Sequence, residues 1–288
     1  MKIKEQEPMR NHTTWRIGGP ADLLVQPESV EELQEAIQMA EQSDTPYYVI
    51  GGGSNLLVAD EGIAGTVIQL GGSLTGLQIT DKYIIAEAGV PLPVLARKVA
   101  EYGLSGLEFA AGIPGSVGGA VVMNAGAYGG EMKDVVRSVD VLTTDGRIQK
   151  YTNEEMQFGY RRSRIAAEGS VVLEAVLELE KSDSDQIQAK MDELKAQRIA
   201  KQPLEYGSAG STFKRPEGYF AGKLIQDAGL RGFRIGDAQV SEKHCGFVIN
   251  RGNATASEIA ELIREIQKRV LENSGVHLET EVKFLGNF

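Results

Sequence analysis

Apolar positions fall into short groups along this chain, and the changes in their spacing mark out its elements. Val30, Leu33, Ile37 and Ala40 recur at the interval of one helical face. Ser29 stands three residues before Glu32, a pairing that satisfies the first free N–H groups of a helix, so a helix is predicted over 28–43. Tyr47-Tyr48-Val49-Ile50 reads as a strand, Gly51-Gly52-Gly53-Ser54-Asn55 as a turn, and Leu56-Leu57-Val58 as a second strand. Residues 66–70 and 83–86 continue the β pattern, a helix follows from about 91 to 102, and two more strands are predicted at 138–143 and 171–179.

Between them, residues 105–130 hold Gly106, Gly112, Gly115, Gly118, Gly119, Gly126, Gly129 and Gly130 among Ala and Val, a composition suited to close backbone approach. Ser182-Asp183-Ser184-Asp185 breaks the pattern, and a charged helix is predicted from near Ile187 to just before Pro203. A domain boundary is therefore expected near 185. The last third reads as a separate α+β unit. It has a glycine-interrupted stretch at 206–222, a helix around 220–228, a strand at 246–250 and a long amphipathic helix through Ile259, Leu262, Ile263, Ile266 and Val270. Thr255 and Glu258 make a second capping pair, and 279–284 alternates like a strand.

Composition narrows the function classes. At 288 residues the chain can bury one large core or two smaller ones. No apolar run approaches the roughly 20 residues of a membrane-spanning helix, and no apolar stretch follows the first lysines as a secretory signal requires, so a cytoplasmic protein is expected. One cysteine, Cys245, excludes an internal disulfide, and His12, His244 and His277 are too scattered for a metal site. A net charge of −10 argues against broad binding to nucleic acid or anionic lipid. Yet Arg161, Arg162 and Arg164 cluster, as do Lys195, Arg198 and Lys201, then Lys214 and Arg215. These are either solvated faces or contacts for a small anion.

Several segments could carry chemistry. Consecutive glycines at 51–53 let backbone N–H groups turn inward around a pyrophosphate, with Ser54 and Asn55 adding side-chain bonds. A plain turn between strands explains them equally well, and Leu56 stands where a dinucleotide fingerprint needs its third glycine. Gly112-Ile113-Pro114-Gly115-Ser116-Val117-Gly118-Gly119 and Asn124-Ala125-Gly126-Ala127-Tyr128-Gly129 add two more loops. Three such loops favour wrapping a large phosphorylated cofactor over simple strand turns. Arg161 could pair a carboxylate or phosphate through its fork or belong to a basic surface turn. Ser211, between Gly210 and Thr212, does not match a hydrolase elbow and reads alone as a turn or cap residue. Glu281 reads alone as an edge carboxylate, and Cys245 as a buried structural thiol.

Taken in order, these segments resemble the UDP-N-acetylenolpyruvoylglucosamine reductases over nearly the whole chain. The resemblance rests on Asn11-His12-Thr13-Thr14, the three glycine loops, Phe158 to Arg161, Gly210-Ser211 with Phe213-Lys214, and Glu279 to Glu281 with Phe284. It is to the shorter subclass, which lacks an extra tyrosine-bearing loop over the nucleotide. It implies an α+β protein: a two-subdomain FAD-binding fold of the vanillyl-alcohol-oxidase type over 1–185, split near 75, and a C-terminal α+β substrate domain over 186–288. It implies non-covalent FAD held by Gly51, Gly52, Gly53, Ser54 and Asn55, by Gly112, Ile113, Gly115, Ser116 and Gly118, and by Asn124, Gly126 and Ala127. NADPH is the implied hydride source, the UDP-sugar enolpyruvate the implied substrate, and a monomer the implied state. Arg161 corresponds to the family's active-site arginine, Ser211 to its proton donor and Glu281 to its essential carboxylate. Lys201, Lys214 and Arg215 are implied substrate contacts. Glu281 is expected to be protonated in the complex, and a cation, Lys201 or Arg215, to assist Ser211.

Overall fold

A computed structural model describes residues 1–288. By compactness the chain divides into two units, and each draws on several stretches of sequence. The first comprises Met1–Ile3, Val25–Gly52 and Val67–Arg198; the second comprises Lys4–Leu24, Gly53–Thr66 and Ile199–Phe288. A single boundary near 185 and a further split near 75 do not reproduce this division. Its last crossing falls between Arg198 and Ile199, inside the helix Ser184–Lys201. A charged helix carries few apolar residues to announce a boundary within it, and early stretches that join the second unit do so through long-range contacts invisible to local pattern.

The first unit is built on a five-stranded antiparallel sheet in the order Ile148–Thr152, Val136–Leu142, Val171–Glu178, Tyr83–Glu87 and Leu77–Thr80. Ile84 and Ala86 are buried while Tyr83 is exposed, as the strand period requires. The helix Val30–Gln42 begins where the 29/32 pair places it. Ser29 accepts from the Glu32 N–H, although Glu32 reaches back to the Glu28 N–H rather than to Ser29. The helix Leu92–Glu101 buries Leu92, Leu95, Ala96 and Val99 in the same core. The glycine-rich stretch contains a short helix, Val117–Val122, capped by Ser116. Gly118 lets it lie against the sheet: a Cβ there would stand 2.8 Å from the Cβ of Ala88.

The second unit packs the long helix Ala256–Ser274 beside a three-stranded antiparallel sheet of Arg234–Ile235, Ala238–Val240 and Val248–Asn250. Thr255 and Glu258 cap that helix reciprocally, as their spacing predicts. Early residues complete this core. Trp15 is fully buried there, its indole N–H donates to the Val248 carbonyl at 2.9 Å, and Asn250 donates back to the Trp15 carbonyl at 3.0 Å. The strand expected over 279–284 is shifted toward the C-terminus: Lys283–Leu285 pairs in parallel with Leu56–Val58, while Thr280 makes only an isolated bridge to Phe213. No helix is long and apolar enough to cross a membrane.

Candidate active site

In the first unit the glycine loops at 51–52 and 112–116 touch. A Cβ on Gly51 would come within 2.4 Å of the Ser116 hydroxyl oxygen, and one on Gly52 within 2.9 Å of Gly115 Cα. Behind them lies Gly71, a residue that sequence pattern did not single out. A Cβ at Gly71 would come within 2.5 Å of the Gly51 carbonyl. Only glycine allows three backbone segments this close. The N–H groups of Gly51, Gly52, Gly115 and Ser116 donate to no protein acceptor, so two touching loops present a patch of free donors. Such a patch suits the diphosphate of a dinucleotide.

Arg198 adds charge to this patch. Its side chain lies over Gly112, where a Cβ would be 2.9 Å from Cδ and 3.0 Å from a terminal nitrogen. No carboxylate faces the guanidinium, and burial pushes its pKa down. A half-buried cation without a counter-ion is costly and suits an anionic ligand. Of the Lys195, Arg198 and Lys201 cluster, only Arg198 is so placed, since Lys195 and Lys201 are exposed.

Other expected cofactor contacts have structural duties. The Ser116 hydroxyl accepts from the Gly119 N–H as a helix cap, and the first N–H groups of Val117–Val122 go to Val90 and Ala88 rather than to a ligand. Gly126 lies against Glu131, whose Cβ would be 2.7 Å from an added Cβ. Asn124 is 1% exposed and bonds only within the protein. Ile113 packs at the edge of the core, and Ala127 pairs with Gly130 in a two-residue strand. Arg161 stands at the tip of a tight turn closed by Gly159 and Arg162, in a left-handed conformation with φ +51°, and donates to the Gly126 carbonyl at 3.2 Å.

In the second unit, residues far apart in sequence meet. The Glu281 N–H donates to the Thr212 carbonyl at 2.9 Å, and the Asn55 side chain donates to the Glu281 carbonyl at 3.1 Å. Thr212 is fully buried. Its N–H donates to Gly246 and its hydroxyl oxygen accepts from the Val248 N–H. Ser211 lies beside this anchor, exposed, after Gly210 at φ +74°, with no hydrogen bond of its own to the protein. Gly53, also left-handed at φ +64°, would place a Cβ 1.8 Å from the His12 carbonyl oxygen, so the early Asn11 to Thr14 segment packs directly on the third glycine of this loop.

The basic side chains nearby are engaged or apart. Lys214 pairs with Glu279, the Arg215 guanidinium lies 4.1 Å above the Phe220 ring, and Lys201 ends its helix in solvent. None of them bonds to Ser211. Cys245 is buried and its thiol is pushed up by burial, which makes it an inert packing residue. Beside it, burial pushes the His244 pKa down, while its Nδ1 accepts from the Gly246 N–H at 3.1 Å.

Comparison with known proteins agrees with this layout. Residues 21–152 match the FAD binding domain family, and residues 202–285 match the C-terminal domain of UDP-N-acetylenolpyruvoylglucosamine reductase. The reductase of that name from Agathobacter rectalis is 54% identical over 99% of this chain and 95% of its own. That from Clostridioides difficile is 51% identical over 99% and 93%. The solved structure of the Thermus caldophilus reductase superposes with a TM-score of 0.83 at 40% identity, covering 99% of this chain and all of its own. The expected α+β architecture, an FAD-binding part followed by the family's C-terminal domain, is thereby met. The touching glycine loops thus belong to an FAD-binding flavoprotein, and the chain belongs to the UDP-N-acetylenolpyruvoylglucosamine reductase family of oxidoreductases.

Proposed function

We propose that this chain reduces the enolpyruvyl group of UDP-N-acetylglucosamine enolpyruvate to give UDP-N-acetylmuramate, drawing its electrons from NADPH. The carrying observation is the patch of free N–H groups on the Gly51–Gly52 and Gly115–Ser116 loops with Arg198 over Gly112, which suits a phosphorylated cofactor. When bound there, FAD supplies the hydride chemistry.

The remaining work falls to the chain. Hydride arriving at C3 of the enolpyruvyl group leaves negative charge on C2 and its carboxylate. Arg161 pairs with that charge through its guanidinium fork, and the interaction strengthens where water is excluded. Ser211 gives its proton to C2: its hydroxyl is exposed and bonds to nothing in the protein, so it is available to substrate. Glu281, whose backbone is fastened to Thr212, acts beside it in the protonated form. Lys201 and Arg215 are the candidate cations for easing proton loss from Ser211, and they, with Lys214, contact the UDP-sugar. The extents 1–185 and 186–288 are proposed as the cofactor and substrate parts in function.

The test is spectroscopic. The purified protein should be yellow, bleach with NADPH and recolour when the enolpyruvyl-UDP-sugar is added. Ser211→Ala should still bleach with NADPH, while product formation falls by roughly 10²–10⁴-fold, the range of a removed general acid. Full turnover by Ser211→Ala would remove its assignment.

A further inference from the structure

We propose that Asn124 is a positioning residue for Arg161, its buried carboxamide setting where the guanidinium stands. This rests on the reading that Arg161 acts on the substrate. The Asn124 amide nitrogen donates to Glu131 Oε2 at 2.7 Å and to the Gly159 carbonyl at 3.0 Å, and its oxygen accepts from the Lys133 N–H at 2.9 Å. A carboxylate and a carbonyl can only accept and a backbone N–H can only donate, so these partners dictate the orientation of the amide.

The Gly159 carbonyl is the link to Arg161. Gly159 and Arg162 exchange both backbone hydrogen bonds, at 2.9 and 3.2 Å, which leaves Tyr160 and Arg161 at the tip of a two-residue turn. Arg161 holds φ +51° there, a conformation that costs a branched-out side chain energy and persists where neighbours impose it. Asn124 supplies that support from the base of the turn. Its own φ of +42° is one that asparagine tolerates better than most residues. Arg161 in turn donates to the carbonyl of Gly126, two residues beyond Asn124. Loop and turn are therefore joined by the amide of Asn124 and by the guanidinium. Without the amide, the turn that carries Arg161 loses the hydrogen bond that holds its base.

Asn124→Asp keeps the shape but sets an acceptor against both Glu131 and the Gly159 carbonyl. In the FAD-loaded enzyme it should lower kcat by about 10–100-fold at neutral pH, the penalty of a misplaced catalytic group. The ratio of variant to wild-type kcat should rise as pH falls, because a protonated carboxyl can donate to Gly159 again. A double-mutant cycle with Arg161→Ala isolates the route. If Asn124 works through Arg161, the second substitution should cost less than threefold once the first is present. An unchanged kcat in Arg161→Ala would overturn the reading of Arg161 itself. A loss in Arg161→Ala together with fully multiplicative effects in the cycle would overturn the proposal for Asn124 alone. Should Asn124→Asp fail to accumulate as folded protein, Asn124→Ser replaces the two amide donors with one shorter hydroxyl, adds no charge and carries the same cycle.

Discussion

Arg161 and Ser211 are held in opposite ways. The turn of Arg161 takes a side-chain clamp at its base from Asn124, while the segment of Ser211 is fastened through backbone groups of Thr212 to Gly246 and Glu281, and the Thr212 hydroxyl accepts from the Val248 N–H. A side-chain clamp concentrates dependence on one residue. Backbone fastening spreads it over neighbours whose identities matter less, because every residue carries the same N–H and carbonyl.

Substitutions that attack the backbone-fastened region should accordingly cost stability before they cost chemistry. Trp15→Ala has the largest expected effect. It empties a fully buried site and frees the carbonyl of Val248, and should destabilise by about 3–5 kcal/mol in chemical denaturation. A loss under 1 kcal/mol would show that the early segment does not brace this region. Thr212→Val comes next. It preserves shape but strands the Val248 N–H, and should cost roughly 1–3 kcal/mol while lowering kcat/KM less than Ser211→Ala does. Equal losses of turnover would mean that Ser211 too depends on one side chain, and the contrast with Arg161 would fail.

The smallest effect concerns acidity. His244 lies two residues before Gly246, the acceptor for the Thr212 N–H, and its pKa is lowered by burial, so the unfolded chain takes up a proton more readily than the folded one. The stability from neutral His244 is present above about pH 6.5 and is lost as pH falls below it. The slope is at most about 1.4 kcal/mol per pH unit, and less for a half-buried ring. His244→Gln should flatten the melting temperature between pH 7 and 5; an unchanged slope would remove His244 from the account.

What could be read in the sequence followed local physics. The strand Tyr47–Ile50 and the helices Val30–Gln42 and Ala256–Ser274 came from apolar period and capping pairs, and those pairs sit where expected. The strand Lys2–Pro8 did not announce itself, because its first five residues are exposed and mostly charged or amide-bearing and show no buried alternate face. The helix Val117–Val122 was hidden by Gly118 and Gly119, residues poor in helix propensity that are there for close packing. Gly71 and the clamp of Asn124 depend on contacts across tens of residues, which no window of sequence contains. Ser211 and Glu281 were recognised by resemblance, while the anchor at Thr212 and the meeting of Glu281 with Asn55 are a matter of tertiary structure.

The bond from Trp15 to Val248 spans 233 positions. At about 5–20 residues per second of synthesis, the indole waits on the order of ten to fifty seconds for its partner. Throughout that time the second unit has its first pieces and lacks its core. An apolar tryptophan is then exposed on a nascent chain, and the burden of keeping it from other chains falls on whatever shelters emerging polypeptides.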